Sequence, residues 1–254
     1  MKSPLLYILE VLFCSGLLLA FYRLLLVRKV SFRACRRYLV AAVFLSAVIP
    51  ALDIPLYPAR TVVYPLPLIA APPAENFVQT TGELPVAVPV VPSGWRRILR
   101  PMAVGGYLTA VFLSLGFLAV RMVGIRRLRR RSRLTDCGAY TLAEHPQIAT
   151  PFSFLRTVFL GGGYEGRRRM IVLCHEAGHV RHRHSAERIA VELVRSLFWF
   201  NPFVWIAGRW LQEVHEWEAD RDVLDAGYDL TEYRTVIFHQ LFGHNPDIAC
   251  GLNH

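Results

Sequence analysis

Residues 175–179 read His-Glu-Ala-Gly-His, and residues 216–220 read Glu-Trp-Glu-Ala-Asp. On a helix, residues four apart share a face, so His175 and His179 can present imidazole nitrogens to one ion while Glu176 points at a water molecule beside it. A catalytic zinc ion usually takes three protein ligands and leaves one position open. The first motif therefore predicts a helix that carries two ligands of a catalytic zinc site, with Glu176 as the general base.

The third ligand has to come from elsewhere, and we predict Glu216. Asp220 lies one turn further along the same helical face, where its carboxylate can accept a hydrogen bond from the free N–H of a ligating histidine. We therefore assign His175, His179 and Glu216 as the ligands of one zinc ion per chain, with Asp220 orienting a ligand. The alternative is that all four are solvated residues on ordinary helices, because such a motif by itself is only a hypothesis.

The composition indicates a membrane protein. Hydrophobic residues make up 54% of the chain, which is more than is typical of a soluble domain of this length. We predict membrane helices over residues 4–25, 38–56 and 102–123, each long enough to cross the hydrocarbon core. A cleaved signal peptide competes for the first helix, but Lys2 is the only basic residue ahead of it and no cleavage site follows. Residues 57–100 are rich in proline and predict an extended external loop.

Basic residues set the predicted topology, because positively charged loops face the cytoplasm. One cluster separates the first two predicted spans, and a second cluster, within residues 121–133, follows the third span. The first cluster consists of Arg23, Arg28, Lys29, Arg33, Arg36 and Arg37. We therefore expect the N-terminus outside and the zinc motif in the cytoplasm, with a membrane domain over residues 1–125 and a peptidase domain over residues 126–254. Arginines beside a membrane helix typically contact anionic lipids, so we expect lipid partners and no nucleic-acid binding.

The two halves of the zinc motif must meet at one ion, so the segment 185–212 between them has to return to its starting side. Asn201-Pro202 supplies a helix break, which predicts a helical hairpin over about residues 186–214. Two interpretations stay open for its aromatic tip: re-entrant insertion into the membrane, or packing in the core of the catalytic domain. The aromatic residues of the tip are Phe198, Trp199, Phe200, Phe203 and Trp205.

Short strands are predicted before the first motif, at Tyr140–Leu142 and Thr157–Leu160. An edge strand beside the metal can pair with an extended peptide, so the segment 151–160 is a candidate substrate-binding edge. Substitution of Val158 by proline should then impair cleavage and leave zinc binding intact. No residue is identified as the donor that stabilises the oxyanion. Several further side chains are interpreted as packed or solvated rather than as part of the site: Tyr228, Tyr233, His239, His182, His184, His215 and Cys174.

Five elements occur in a characteristic order after the predicted spans: residues 150–154 (Thr-Pro-Phe-Ser-Phe), 175–179, 184–185 (His-Ser), 199–203 (Trp-Phe-Asn-Pro-Phe) and 216–220. In this order and spacing the chain resembles the BlaR/MecR-type membrane metallopeptidases over nearly its whole length. The resemblance implies a gluzincin-like cytoplasmic zinc domain in the bacterial inner membrane, with the ligands and base assigned above. The expected fold is therefore mainly α, with three transmembrane helices and an α+β zinc-peptidase domain.

The best-known members of that family sense beta-lactams outside the cell and respond by proteolysis inside, which relieves a transcriptional repressor. They carry a penicillin-binding domain after a fourth membrane helix, and this chain ends at His254 with neither. We therefore expect a truncated chain or a sensorless branch.

The predicted function is hydrolysis of a peptide bond in a cytoplasmic or juxtamembrane protein, with a repressor or the chain itself as candidate substrates. Two alternatives stay open. One is a signalling receptor with a structural or dormant zinc site. The other is a housekeeping membrane protease of the HtpX or prenyl-protein type, which places two full spans between the motif halves. The sequence makes no prediction of the oligomeric state.

Overall fold

The structure, a computed structural model, describes residues 4–27, 29–52 and 94–242. Helix α1 covers Pro4–Phe21 and continues as a π-helical turn over Tyr22–Leu26. Helix α2 covers Phe32–Val48 and ends in a 3₁₀ turn at Ile49–Ala51, and helix α3 covers Gly94–Arg131. These helices contain three segments long and apolar enough to cross a membrane, Pro4–Leu26, Phe32–Ala51 and Pro101–Arg131.

Two helices extend beyond the predicted membrane spans. Helix α2 begins at Phe32, six residues before the predicted start at 38, because Ser31 caps its first turn by accepting a hydrogen bond from the backbone N–H of Ala34 at 3.4 Å. Part of the first basic cluster, including Arg36, therefore lies on a helix rather than in a loop. Residues 94–100 were assigned to the proline-rich loop but open α3, because the prolines of that loop end at Pro92. The rest of the loop lies outside the described residues.

A small sheet follows α3, and it consists of β1 (Arg133–Asp136), β2 (Thr141–Glu144), β3 (Phe152–Phe154) and β4 (Thr157–Leu160) in the order β1-β2-β4-β3. Both predicted strands are present, as β2 and β4. Strand β4 pairs in parallel with β2 and antiparallel with β3, so it lies inside the sheet. The edges of the sheet are β1 and β3, so β3 is the edge strand within the predicted segment 151–160. Because Val158 is fully buried in β4, the proposed proline substitution there would disrupt the sheet and would not test substrate binding.

In the described part of the chain, four helices follow the sheet: α4 (Gly166–Arg181), α5 (His184–Leu197), α6 (Pro202–Asp225) and α7 (Leu230–Phe242). The hairpin break lies at Asn201-Pro202, where the Asn201 side chain caps α6 by accepting a hydrogen bond from the N–H of Phe203 at 2.9 Å. Helix α6 combines the second arm of the predicted hairpin and the Glu216 motif in one continuous helix. With 14 residues, α5 is about 21 Å long, which is shorter than the hydrocarbon core.

Helix α6 joins two hydrophobic cores. Its first half packs with α5 against α1 and α2, around Leu39, Val204 and Leu211. Its second half packs with α4, α7 and the sheet, around Val223 and the fully buried Ile171. The described residues up to Leu52 and from Ala110 onward belong to one compact unit, and the first part of α3 belongs to another. The division into domains at residue 125 stays a prediction.

Candidate metal centre

Three potential ligand atoms converge between α4 and α6. The Nε2 atoms of His175 and His179 are 3.2 Å apart, and they lie 3.4 and 3.7 Å from Oε2 of Glu216. Ligands at the usual zinc bond length of about 2.0–2.1 Å in a tetrahedron would be about 3.3 Å from one another, so the donor set fits a zinc ion. Among the described residues, these three form the cluster able to hold a metal ion. It lines a cavity of 410 Å³.

The second ring nitrogen of His175 is held by α6 and α7. The Nδ1 atom lies 3.3 Å from Oδ1 of Asp220 and 2.8 Å from the hydroxyl of Tyr233, which donates a hydrogen bond to Asp220 at 2.5 Å. An Nδ1–H that donates to these oxygens leaves the lone pair of Nε2 free for a metal ion. Asp220 therefore lies beside the ring nitrogen of His175 that is not directed at Glu216. Tyr233 belongs to the site although the sequence analysis left it out, because only the packing of α7 brings it to Asp220.

The second ring nitrogen of His179 is held by His184. Their Nδ1 atoms are 2.8 Å apart, and Nε2 of His184 lies 3.1 Å from Oε2 of Glu218. Burial and the neighbouring cationic and histidine side chains lower the pKa of His184 to about 2, so this ring is neutral. The carboxylate of Glu218 only accepts hydrogen bonds, so His184 donates from Nε2 and accepts at Nδ1 from the N–H of His179. His179 thereby also keeps Nε2 free for a metal ion.

The spacing from His179 does not predict His184 as part of the site, because five residues further along a continuous helix it would lie off the ligand face. The chain reverses at Arg183, whose φ of 59° is left-handed, and this turn places His184 below His179. Neither His182 nor His215 belongs to the cluster of converging ligand atoms. His182 bonds to Asp222 at 2.9 Å, and His215 bonds to Glu187 at 2.9 Å.

The candidate base Glu176 is buried in the cavity wall, next to both histidines. Burial raises the pKa of its carboxyl group, while the neighbouring His175 and His179 side chains and a hydrogen bond with Ser153 act in the opposite direction. A raised pKa suits a carboxylate that must accept a proton and release it again. Ser153 lies on the edge strand β3, so that strand and the base share one cavity.

Two of the candidate ligands, His175 and Glu216, have shifted pKa values. Burial opposes the charged form of His175, but hydrogen bonds with Asp220 and Glu216 outweigh it and raise the pKa of His175 to about 10. Burial also opposes the charged form of Glu216, yet hydrogen bonds with His175 and His179 lower the pKa of Glu216. Histidine binds a metal ion only as the neutral ring, so the pKa of His175 means that a metal ion displaces a proton at neutral pH.

Two further side chains behave as the sequence analysis expected. The thiol of Cys174 points away from the cavity, with Sγ 4.0 Å from the backbone oxygen of Asp222, and burial raises its pKa. Tyr228 packs against the second hydrophobic core, beneath the guanidinium of Arg167. The side chain of His239 lies outside the described part of the structure.

A comparison with protein families identifies the chain. The model of the BlaR1 peptidase M56 family matches residues 15–251, which is most of the chain and includes every candidate site residue. No curated protein matches the sequence. The chain therefore belongs to the BlaR1 peptidase M56 family, as the order of its motifs predicts.

Proposed function

We propose that this member of the BlaR1 peptidase M56 family is a zinc metalloendopeptidase that hydrolyses a peptide bond in a cytoplasmic or juxtamembrane protein. The observation that carries the proposal is the arrangement of His175, His179 and Glu216 at the mutual distances of zinc ligands. Both histidines have their second nitrogens tied to other side chains, and Glu176 lies in the wall of the same cavity. This combination is typical of a gluzincin-like catalytic site.

The residues of the chain supply the proton transfers and the substrate position. When bound, zinc supplies Lewis acidity that polarises the scissile carbonyl and lowers the pKa of water. Glu176 accepts the proton of the attacking water and passes it to the leaving amine. Asp220 and Tyr233 orient His175 during this cycle. The hydroxyl of Tyr233 already donates its proton to Asp220, so it is not free to donate a hydrogen bond to an oxyanion.

The shape of the cavity favours a polypeptide substrate. A second cavity of 530 Å³ lies between α3, β3 and α5. It shares four lining residues with the metal cavity, namely Phe152, Ser153, Ser185 and Arg188. The two cavities therefore adjoin each other beside the edge strand β3. An extended peptide can add to this edge by backbone hydrogen bonds while its scissile bond lies at the metal.

The hairpin of α5 and α6 supports a site close to the membrane. The buried amide of Asn201 donates to the hydroxyl of Ser15 at 3.0 Å, and the ring of Phe203 packs against Gly16. Ser15 lies midway along the 23-residue span Pro4–Leu26, about 16 Å from either end. If α1 crosses the membrane, the tip of the hairpin therefore reaches about half of its depth. We propose the re-entrant arrangement, in which the exposed tip residues Leu197, Trp199 and Trp205 contact lipid chains.

The same arrangement places the metal site near the cytoplasmic boundary. Helix α6 runs from the tip toward the start of α2, where Trp217 lies 6.1 Å from the ring of Phe32. The positive-inside rule then puts this end of α2, and with it the metal site, on the cytoplasmic side of a bacterial inner membrane. We propose a signalling role with a transcriptional repressor, or the chain itself, as the substrate. The basic end of α3 would contact anionic lipids.

The test compares the wild type with Glu176→Ala in purified, detergent-solubilised protein. Zinc content is measured together with self-cleavage and casein hydrolysis, each with and without a chelator. We expect about one zinc ion per chain in both proteins, and chelator-sensitive cleavage by the wild type alone, because Glu176 is not a ligand. Glu165→Ala, an exposed glutamate at the start of α4, is the matched control and should cleave like the wild type.

The other outcomes separate the alternatives. Zinc binding without cleavage by the wild type would favour a receptor with a dormant site. A wild-type protein that binds no zinc would contradict the proposal.

A further inference from the structure

One arginine of a candidate membrane span reaches three helices of the metal-binding region. Arg36 lies in the second turn of α2, and its side chain is only 13% exposed. Its Nη1 atom donates to Oε2 of Glu218 on α6 at 2.8 Å, and to the carbonyl oxygen of His182 at the end of α4 at 3.2 Å. Its Nε atom lies 3.3 Å from Oε1 of Glu187 on α5. No other role described above requires a buried arginine at this position.

A continuous set of hydrogen bonds connects this arginine to a candidate metal ligand. Oε2 of Glu218, which Arg36 holds, accepts from Nε2 of His184 at 3.1 Å. Nδ1 of His184 accepts from Nδ1 of His179 at 2.8 Å. His184 and Glu218 are only 1% and 5% exposed, so water cannot readily replace either partner. The orientation of the His179 ring therefore depends on groups whose own positions Arg36 fixes.

A second branch stabilises the same arrangement. Glu187, which pairs with Arg36, accepts a hydrogen bond from Nε2 of His215 at 2.9 Å. The ring of His215 stacks on that of His184, with centroids 4.0 Å apart and an interplanar angle of 15°. Arg36 thus contacts both the carboxylate that accepts from His184 and the carboxylate that anchors the ring stacked on His184. His184 has little freedom to rotate while both contacts exist.

We propose that Arg36 is a positioning residue for the metal site, acting on His179 through Glu218 and His184. This inference rests on the proposed function, since it assumes that His179 is a ligand. A buried carboxylate is strongly disfavoured without a compensating cation. Without Arg36, Glu218 would turn toward the exposed Arg33, now 3.7 Å away, or toward His182, at 3.6 Å. Either rotation would remove the acceptor that sets the tautomer and the orientation of His184.

The contact also links the metal site to the membrane region. Arg36 belongs to α2, whereas the ligands lie on α4 and α6, and α2 and α6 share a core around Leu39 and Leu211. Arg36 therefore joins a candidate membrane helix to the helices that carry the candidate ligands.

The test uses metal binding as a readout that does not depend on turnover. Zinc affinity is measured by chelator competition, and the ligand geometry by the visible absorption of the cobalt-substituted protein, for the wild type, Arg36→Gln, Arg36→Lys and Arg37→Gln. We expect Arg36→Gln to lower zinc affinity up to roughly tenfold and to alter the cobalt bands, which is the lower end of the effect typical of losing a direct partner of a ligating histidine. Arg36→Lys, which keeps the charge, should recover part of the affinity.

Arg37→Gln is the matched control, because it removes the same charge from the adjacent, exposed position of α2. Its affinity and cobalt spectrum should equal those of the wild type. A lower melting temperature of Arg36→Gln with wild-type affinity and spectrum would show a purely structural role and would overturn the inference. If Arg36→Gln fails to fold, Arg36→Lys and Glu218→Gln provide the same comparison.

A double substitution tests the order of the contacts. If Arg36 acts through Glu218, then Arg36→Gln combined with Glu218→Gln should bind zinc no more weakly than the weaker-binding single variant. Fully additive losses would overturn the inference. The role of Arg36 and the proposed function fail in different ways. A wild type that binds no zinc contradicts both. A wild type that binds zinc and cleaves, together with an Arg36→Gln variant of equal zinc affinity and cleavage, contradicts only the role of Arg36.

Discussion

Substitution of Gly178 by alanine should destabilise the protein where the two motif helices cross. Gly178 lies on α4 between the candidate ligands, and α6 packs directly against it. A Cβ atom at this position would lie 2.9 Å from Oδ2 of Asp222 and 3.4 Å from Cα of Ala219. The carboxylate of Asp222 cannot move away freely, because it also bonds to His182 at 2.9 Å and to Arg181 at 2.5 Å. Helix α6 or this carboxylate therefore has to shift by a few tenths of an ångström.

Two opposing terms determine the size of the effect. Alanine is favoured over glycine inside a helix by about 1 kcal/mol, whereas overpacking a tight contact costs about 1–3 kcal/mol. Gly208→Ala, on α6, is the matched control, because its Cβ would meet only Cγ1 of Val191 at an ordinary 3.6 Å. The helix term is common to both variants, so their difference isolates the steric cost. Gly178→Ala should be less stable than Gly208→Ala by about 1–3 kcal/mol.

The assay is thermal unfolding in detergent, followed by circular dichroism, combined with zinc affinity. For a chain of this size the expected difference corresponds to a melting temperature roughly 2–12 °C lower for Gly178→Ala than for Gly208→Ala. A shift of α6 also moves Glu216 relative to His179, so only Gly178→Ala should bind zinc more weakly. Equal melting temperatures and equal zinc affinities for the two variants would refute the close packing inferred here.

Three further predictions concern the site and the hairpin. Asp220→Asn should weaken zinc binding roughly 10- to 100-fold in a chelator competition, because His175 loses its charged acceptor; wild-type affinity would exclude Asp220 from that role. The pKa of His175 is raised to about 10, so zinc displaces its proton and the apparent affinity should fall about tenfold for each unit by which the pH is lowered toward neutrality; an affinity independent of pH would contradict this assignment. Asn201→Ala should cost about 2 kcal/mol, from a lost helix cap and a lost hydrogen bond, whereas Ser15→Ala should cost about 1 kcal/mol. Thermal unfolding of both variants provides the measurement, and a stability of both variants equal to that of the wild type would refute the inferred contact.

The sequence predicts those parts of the fold that depend on local spacing. The four-residue spacing of His175 and His179 specifies a shared helical face, and Asn201-Pro202 specifies a break between two helices. Long apolar stretches likewise predict three helices able to span a membrane, and the structure contains them. Helix α2 begins before the predicted membrane span. Hydropathy shows only where apolar residues begin, whereas the helix extends toward the N-terminus through a charged turn as far as its cap at Ser31.

The groups around the candidate ligands could not be predicted from spacing. Tyr233 reaches Asp220 from a separate helix, and His184 reaches His179 because of one left-handed residue at Arg183. Arg36 lies far from the motifs in the sequence, in a basic cluster that predicts membrane topology, yet its side chain contacts Glu218. These contacts arise from the packing of helices whose relative positions no local pattern encodes. That His175, His179 and Glu216 ligate zinc stays a prediction, although the structure brings them together.

Zinc X-ray absorption spectroscopy of the purified wild-type protein tests whether His175, His179 and Glu216 bind zinc. We expect a first shell of nitrogen and oxygen atoms only, at about 2.0–2.1 Å, with the outer-shell scattering of two imidazole rings. Glu216→Ala should lose one oxygen ligand and keep both imidazoles. A sulfur ligand at about 2.3 Å, as expected if Cys174 bound the metal, or the absence of imidazole scattering would contradict the proposed zinc site.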